Sequence, residues 1–402
     1  MADSLTSMNQ TILTNARIVL PTETIEGSLV VEGDCIAEII PGRHFSEGHD
    51  LHGQWLIPGV IDIHTDYLEK EINPRPKTNF PLPIAFHMMD QRALACGLTT
   101  VLGGVRFSND RSKDSTLWGG NGLALAEGYE KLRCTALARH YLHVRWDTNF
   151  EPVDDLLAAM QNYECIGNIV YNENIPGERQ FQDLAELARK RAARGDKTIA
   201  EARAELEEQI RIGRSINNRA KVKAAFGGKI CIGSHDDTTI AHVIEAKEMG
   251  ATLAEMPTSL VAARKAKELG LAVCMGAPNY LRGGSHCGNL SAAEAMSEDL
   301  VDVLCSDYHF PSLLNSVALM LERGMAPHRA VAFVTLNAAR VLGQEAELGS
   351  IEVGKKADLA AFHIRDRHAF VKAAWVDGRL KLQLGLPAPE TVAAVAPLVA
   401  AE

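Results

Sequence analysis

Between residues 58 and 345, eight short apolar runs alternate with stretches of helical period. The runs are PGVIDIHTD, GLTTVLGGV, ALARHYLHVRWD, CIGNIVYNE, KICIGSHDD, ATLAEMPTS, LAVCMGAPN and LVDVLCSDY. Between them lie segments rich in Ala, Glu, Lys, Arg and Leu, such as IAHVIEAKEM and LVAARKAKEL. Apolar runs of that length read as buried strands and the segments between them as amphipathic helices. Eight strand–helix alternations over roughly 290 residues predict an α/β fold, a (β/α)8 TIM-like barrel. The main departure is a charged stretch from Gln180 to Ala225, which predicts one or two long helices with a solvated face. Its pattern does not choose between a lid, a dimer contact and a spacer.

The flanks read differently. TILTNARIVL, SLVVEGDCIAEII and HGQWLIP in residues 1–57 alternate with period two, as do LGSIEVGKKADLAAFHI and AFVKAAWVDGRL in residues 346–402. Chain ends often lie close together, so both termini are expected to build one small β-sandwich domain beside the barrel. The final GLPAPETVAAVAPLVAAE reads as a loosely held tail or packing arm.

Composition removes several classes of function. A hydrophobic fraction of 46% excludes a disordered chain, and no apolar run is long enough to cross a membrane. MADSLTSMNQTIL lacks a basic region followed by an apolar one, so a cytoplasmic protein is expected. With 41 basic against 51 acidic residues the formal net charge is -10, which argues against a nucleic-acid partner. The eight cysteines stand singly with no CxxC pair, as reduced thiols used as small hydrophobes do.

In a barrel of this class the chemistry stands at the C-terminal ends of the strands. Polar residues close nearly every run. His64 and Asp66 sit two apart at the first strand end, so both side chains point to one side and reach one metal ion. His143, Arg145 and Asp147 share one parity on the third strand and read as facing inward, since an outer face under helices would strand them. Asn172-Glu173-Asn174 closes the fourth strand, where Glu173 is placed to bind metal or simply to begin a turn. His235-Asp236-Asp237 closes the fifth, with His235 a ligand and one of the two aspartates expected to cap the following helix. Glu255 closes the sixth, and Asp307 closes the eighth, where a carboxylate both binds metal and accepts a proton from attacking water. This mixed nitrogen and oxygen set suits one or two divalent ions, zinc or manganese.

Cations gather at the same ends: Lys70, Arg75 and Lys77 after the first strand, Arg179 after the fourth, and Arg282 with His286 in RGGSH after the seventh. Guanidinium, glycine backbone N–H groups and imidazole in one loop form an anion cradle. A small phosphorylated substrate explains why a net-acidic chain collects cations around a carboxylate-rich site. Lys70, Arg75, His143, Arg145, Arg179, Glu255, Arg282 and His286 are therefore the expected substrate contacts.

These residues also carry a resemblance. PGVIDIH, His235 after the fifth strand, Asp307 after the eighth and GKKADLAAF resemble the amidohydrolase superfamily. HTDYLEKEINPRP, RHYLHVR, PGERQF, SHDDTTIAHV, AEMPTSLVAA, MGAPNYLRGGSHCGNLSAAE and SDYHFPSLLNS are similar to the PhnM family within it. The resemblance implies hydrolysis of alpha-D-ribose 1-methylphosphonate 5-triphosphate to the 5-phosphate with release of pyrophosphate, in phosphonate catabolism by carbon–phosphorus lyase. It implies metal ligands at His64, Asp66, His235 and Asp307, with Glu173 as the acidic ligand of the fourth strand. There the family has Met-Asp-His where this chain has Asn172-Glu173-Asn174. That change leaves a rival within the superfamily, a deaminase or cyclic amidase opening a C–N bond, and a rival outside it, a metal-poor binding protein. Oligomeric state is left open, a homo-oligomer being compatible with a barrel of this kind.

Overall fold

The computed structural model describes residues 10–75, 78–107, 122–149, 153–173, 175–179, 183–194, 197–285 and 288–385. Lys77, Asn174, His286, Cys287 and the C-terminal 386–402 lie outside the described residues.

The chain opens with β1 (Gln10–Val19), β2 (Thr24–Glu32), β3 (Cys35–Pro41) and β4 (His49–Pro58). Leu13, Ala16 and Ile18 of β1 face one apolar cluster, although strict alternation does not place 13 and 16 together. A bulge between Leu13 and Ala16, with Asn15 in the left-handed region at φ 55°, supplies the extra residue. Strand β4 runs straight into the barrel through Gly59, where any Cβ would lie 2.0 Å from Thr99 Oγ1.

The barrel strands are β5 (Val60–Thr65), β6 (Leu98–Phe107), β7 (Arg139–Asp147), β8 (Ile166–Asn172), β9 (Cys231–His235), β10 (Leu253–Glu255), β11 (Ala272–Gly276) and β12 (Val303–Cys305). All eight apolar runs thus form strands, parallel and in sequence order, as crossover connections require. Between β12 and β5 the ladder shrinks to a bridge at Thr65–Asp307, with Asp66 N–H donating to Asp307 O at 2.6 Å and Asp307 N–H to His64 O at 3.1 Å. Beneath the mouth the interior is filled by Ile61, Ile63, Cys231, Leu253, Cys274, Val303 and Cys305. The seven described cysteines are all free.

After the barrel, β13 (Leu359–Arg365), β14 (His368–Val376) and β15 (Arg379–Gln383) return to the N-terminal strands. Together they form one seven-stranded sheet in the order β15-β14-β13-β4-β1-β2-β3, with β1 and β4 parallel and every other pair antiparallel. The sheet curls around its own core. Ala357 N–H donates to Asp34 O at 2.8 Å, and the Gly378 turn abuts Gly33 so closely that a Cβ there would sit 2.2 Å from the Gly33 carbonyl oxygen. Trp375, Leu359 and Leu29 fill the enclosed face.

The charged stretch after β8 forms three helices, Leu184–Arg194, Ile199–Ser215 and Arg219–Phe226, rather than one or two. Thr198 restarts the helix with a capping box: its hydroxyl accepts from Glu201 N–H at 3.2 Å, and the Glu201 carboxylate accepts from Thr198 N–H at 2.8 Å. Ala188, Ala202 and Leu206 bury the seam between the first two helices. Among the described residues no helix is long and apolar enough to cross a membrane.

One buried carboxylate ties the outer layer to the barrel. Asp90, in the helix Leu82–Ala95, accepts from Leu137 N–H at 2.8 Å and Ala138 N–H at 3.0 Å, and pairs with His140 Nε2 at 2.8 Å. Burial pushes its pKa up, but the His140 contact and the two N–H groups outweigh that and hold it below the usual carboxylate value. A carboxylate depressed in the fold contributes stability above its unfolded pKa of about 3.9, and that contribution disappears as pH falls through the lower, folded value. Asp90→Ala is therefore expected to lose about 3 kcal/mol at neutral pH. In urea unfolding, the gap from the parent protein should close as the medium is acidified below about pH 4.

Candidate metal centre at the barrel mouth

Six side chains from five strand ends converge at the barrel mouth. His64 and Asp66 come from β5, with His64 Nε2 3.7 Å from Asp66 Oδ1. His143 of β7 lies against His64 with ring centroids 4.3 Å apart. His235 closes β9, Glu255 closes β10, and Asp307 follows β12. Glu255 is 0% exposed and stands among the three imidazoles, 3.0 Å from His64 Nδ1, 3.5 Å from His143 Nε2 and 3.7 Å from His235 Nε2. The strand ends are bent to bring these groups in. Asp236, Met256 and Asp307 all take left-handed backbone, at φ 58°, 52° and 55°, immediately after or at the site residue.

The polar accounting favours a cation. Among the described residues, both ring nitrogens of His143 and Oε2 of Glu255 make no hydrogen bond, His143 and His235 Nε2 standing 3.5 and 3.7 Å from that oxygen. A buried carboxylate left that way costs several kcal/mol unless a cation satisfies it. Two ligand sets share His64: His64, His235 and Glu255, and His64, Asp66 and Asp307, each with ligand atoms within 4.8 Å of one another. Nitrogen and carboxylate donors so arranged fit one or two divalent ions.

Electrostatics agree with the donor count. Burial lowers the His143 pKa to about 3, leaving a neutral imidazole with a free lone pair. His64 is pushed down by burial, but Glu255 and Asp66 beside it outweigh that and raise it well above the ordinary histidine value. Such a ring holds a proton that a divalent cation would displace. Burial raises Asp307 above the usual carboxylate range, and raises Asp62 to about 6.

Cations ring the mouth. Arg145 Nη1 lies 3.2 Å from Asp66 Oδ1, and its Nε has no partner among the described residues. Lys70 Nζ stands 4.9 Å over the Tyr308 ring, while Arg282 Nη1 meets the Tyr308 hydroxyl at 3.4 Å. Arg282, Tyr308, Asn279, Asp236 and Asp307 line a cavity beside the carboxylates. Arg75 is exposed and its backbone pairs with Thr78, so it is not drawn into the cluster.

Three expectations need correction. Glu173 belongs to neither ligand set among the described residues; its carboxylate is held by Arg179 at 2.7 Å and Arg219 at 3.1 Å, which consume its charge. Arg179 is 4% exposed and paired with Glu173 and Asp237, so it is not a free phosphate contact. Neither Asp236 nor Asp237 caps the next helix: Thr239 does, accepting from His242 N–H, while Asp236 faces His235 Nδ1 at 2.8 Å. Glu255, read both as part of the mixed donor set and as a substrate contact, stands among the imidazoles of His64, His143 and His235.

Sequence reasoning also passed over Asp62, which accepts from Ser306 N–H at 3.0 Å and pins β12 to β5 where the ladder fails. The parity rule that joined His64 to Asp66 reaches Asp62 equally, so this signal was present. Arg106, which donates to Asp147 at 3.4 Å, and Arg219 gave no comparable signal, Arg219 lying in a stretch that reads as a solvated helix.

The amidohydrolase family model matches residues 55–381. The chain is 34% identical over 376 residues to alpha-D-ribose 1-methylphosphonate 5-triphosphate diphosphatase of Escherichia coli (strain K12), an alignment covering 92% of this chain and 99% of that protein. It is 27% identical to imidazolonepropionase of Symbiobacterium thermophilum over 60% of this chain and 55% of that one. Among solved structures, N-acetylglucosamine-6-phosphate deacetylase from Pasteurella multocida superposes with a TM-score of 0.59 at 14% identity, over 92% of this chain and 99% of that one. Dihydropyrimidinase from Brevibacillus agri gives 0.58 at 13% identity, over 92% and 94%. At such identities these two structures speak for the fold alone. The family match and the full-length relative together place the chain: it belongs to the amidohydrolase family of hydrolases, in the branch that contains the ribose 1-methylphosphonate triphosphate diphosphatase.

Proposed function

We propose that this hydrolase is a metal-dependent diphosphatase that converts alpha-D-ribose 1-methylphosphonate 5-triphosphate to the 5-phosphate and pyrophosphate, in the cytoplasm, as a step of phosphonate catabolism. The observation that carries the reading is Glu255, fully buried among the imidazoles of His64, His143 and His235, beside a second group of donors from His64, Asp66 and Asp307. The full-length likeness to the E. coli diphosphatase supports the choice of substrate.

His64, His143, His235, Glu255, Asp66 and Asp307 would hold one or two divalent ions, zinc or manganese. When bound, such ions supply Lewis acidity and make water nucleophilic near neutral pH. The residues of the chain do the rest. Asp307, with its pKa raised by burial, accepts the proton of the attacking water. The anhydride bond between the α and β phosphates breaks, and water supplies the hydroxyl that completes one fragment. Arg145, Lys70 and Arg282 neutralise the phosphoryl oxygens as charge moves onto the departing pyrophosphate. The buried floor of Ile63, Cys305 and Leu253 keeps bulk water from the lower side of the site.

Phosphorus NMR of the metal-loaded protein with the triphosphate tests this directly. Equal amounts of pyrophosphate and 5-phosphate are expected, with the conversion lost in His235→Asn. Absence of turnover by folded protein shown to carry metal would overturn the assignment and turn the search to C–N bonds.

A further inference from the structure

We propose that Arg179, locked between Glu173 and Asp237, is a positioning residue that fixes His235 for the metal centre. The inference rests on the reading of His235 as a ligand. It starts from a break in the sheet. The ladder between β8 and β9 ends at Tyr171–Ser234, so His235, one residue on, has no strand partner on its β8 side. Its carbonyl oxygen accepts instead from Arg179 Nη1 at 3.3 Å. A side chain has taken the place of a missing rung at the residue whose ring must be held.

The rest of the guanidinium is committed to the same end. Nε donates to Glu173 at 2.8 Å and Nη2 meets it at 2.7 Å, while Nη1 also pairs with Asp237. Asp237 in turn accepts from Ser234 Oγ at 2.9 Å, and its carbonyl accepts from Thr258 N–H at 2.9 Å. Both flanks of His235 are therefore stitched to one arginine. On the far side, Glu173 is shared with Arg219 at 3.1 Å, which also reaches Glu245 at 3.2 Å and is 2% exposed. The planar fork of arginine suits this divided task, whereas the point charge of lysine cannot serve two carboxylates and a carbonyl together. Arg179 itself sits in left-handed backbone at φ 54°, a conformation that the surrounding pairs must hold.

The arrangement also accounts for the altered fourth strand. Glu173 is not an errant ligand but the anchor of the clamp. The strand end that would contribute a ligand has become a support for the ligand of its neighbour, while the Glu255 carboxylate lies 3.7 Å from His235 Nε2. Groups that orient a metal-bound histidine from behind change metal affinity by about ten- to hundredfold when removed.

Cobalt(II) is the probe. Its affinity, by competition with a chromogenic chelator, and its visible ligand-field spectrum are measured for the full-length parent, Glu173→Gln, Arg179→Gln and Arg179→Lys. The clamp predicts about ten- to hundredfold weaker binding and an altered spectrum in both Gln variants. Arg179→Lys should keep part of the loss, because it restores charge but not the bond to the His235 carbonyl. If Arg179→Gln does not fold, Arg179→Lys and Glu173→Gln carry the same reading. Unchanged affinity and spectrum in folded variants, with or without a raised KM, overturn the clamp and leave the metal centre standing. A parent protein that binds no cobalt overturns the metal centre, and the clamp with it.

Discussion

Glu255→Gln is expected to lower kcat/KM by on the order of 10³-fold, beyond the ten- to hundredfold typical of losses behind the ligands. Glutamine preserves the volume and shape of a side chain that is 0% exposed, so packing is not what the change removes. It removes the charge on which three buried imidazoles converge: His64 at 3.0 Å, His143 at 3.5 Å and His235 at 3.7 Å all face the two carboxylate oxygens. The carboxylate is held well below the usual range, burial opposing and the His143 and His64 contacts prevailing, so it is the anionic form that the site is built around. Steady-state pyrophosphate release and metal content of the purified variant check the prediction together. The thermal stabilisation that metal gives the parent, about 4 kcal/mol when the ion is at a thousand times its dissociation constant, should also vanish. A variant within tenfold of the parent in turnover and fully loaded with metal would show that Glu255 is not a ligand.

That Glu255 sits at the centre could not be read along the chain. Parity and position at a strand end identified it as a site residue, because both are local properties of a strand. Which strand ends lean together is a property of barrel closure and of the bends at Asp236, Met256 and Asp307, none of which leaves a local pattern. Glu173 shows the opposite failure. Its strand end was recognised, but its charge is spent on Arg179 and Arg219, and the second of these arrives from a helix that begins 46 positions later in the chain, at Arg219.

The architecture was more legible than the roles. Eight buried strands in order leave long apolar runs at regular intervals, and those survive any detail of register. The three-helix insertion after β8 was read as one or two because its break is made by Thr198 and Glu201, a capping box hidden inside a charged run. The helix after β9 likewise starts at Thr239 and not at an aspartate, since Asp237 is drawn away by Arg179 and Asp236 by His235. Of these, only Asp237 is taken by a distant partner, Arg179; the capping box and the His235–Asp236 pair are local.

Asp307→Asn carries the second large effect, a fall in kcat of about 10³-fold with KM changed only severalfold, within the range that a positioned general base supplies. The backbone of Asp307 is fixed independently of its side chain: its N–H donates to His64 O at 3.1 Å and its carbonyl accepts from Asp66 N–H at 2.6 Å, closing the barrel. Asparagine at this position therefore keeps the seam and the shape while losing the ability to take a proton. Burial raises the Asp307 carboxyl, His64 opposing and Asp66 adding to the rise, so it is a stronger base than an exposed aspartate. Its neighbour Asp66, held low by Arg145 and His64 although burial works against them, is a poor substitute for that role. The comparison of kcat with metal content decides what Asp307 does. Retained metal with lost kcat marks a proton acceptor, whereas metal lost in step with kcat marks a residue whose contribution is ligation, shared with His64 and Asp66 in the second of the two ligand sets.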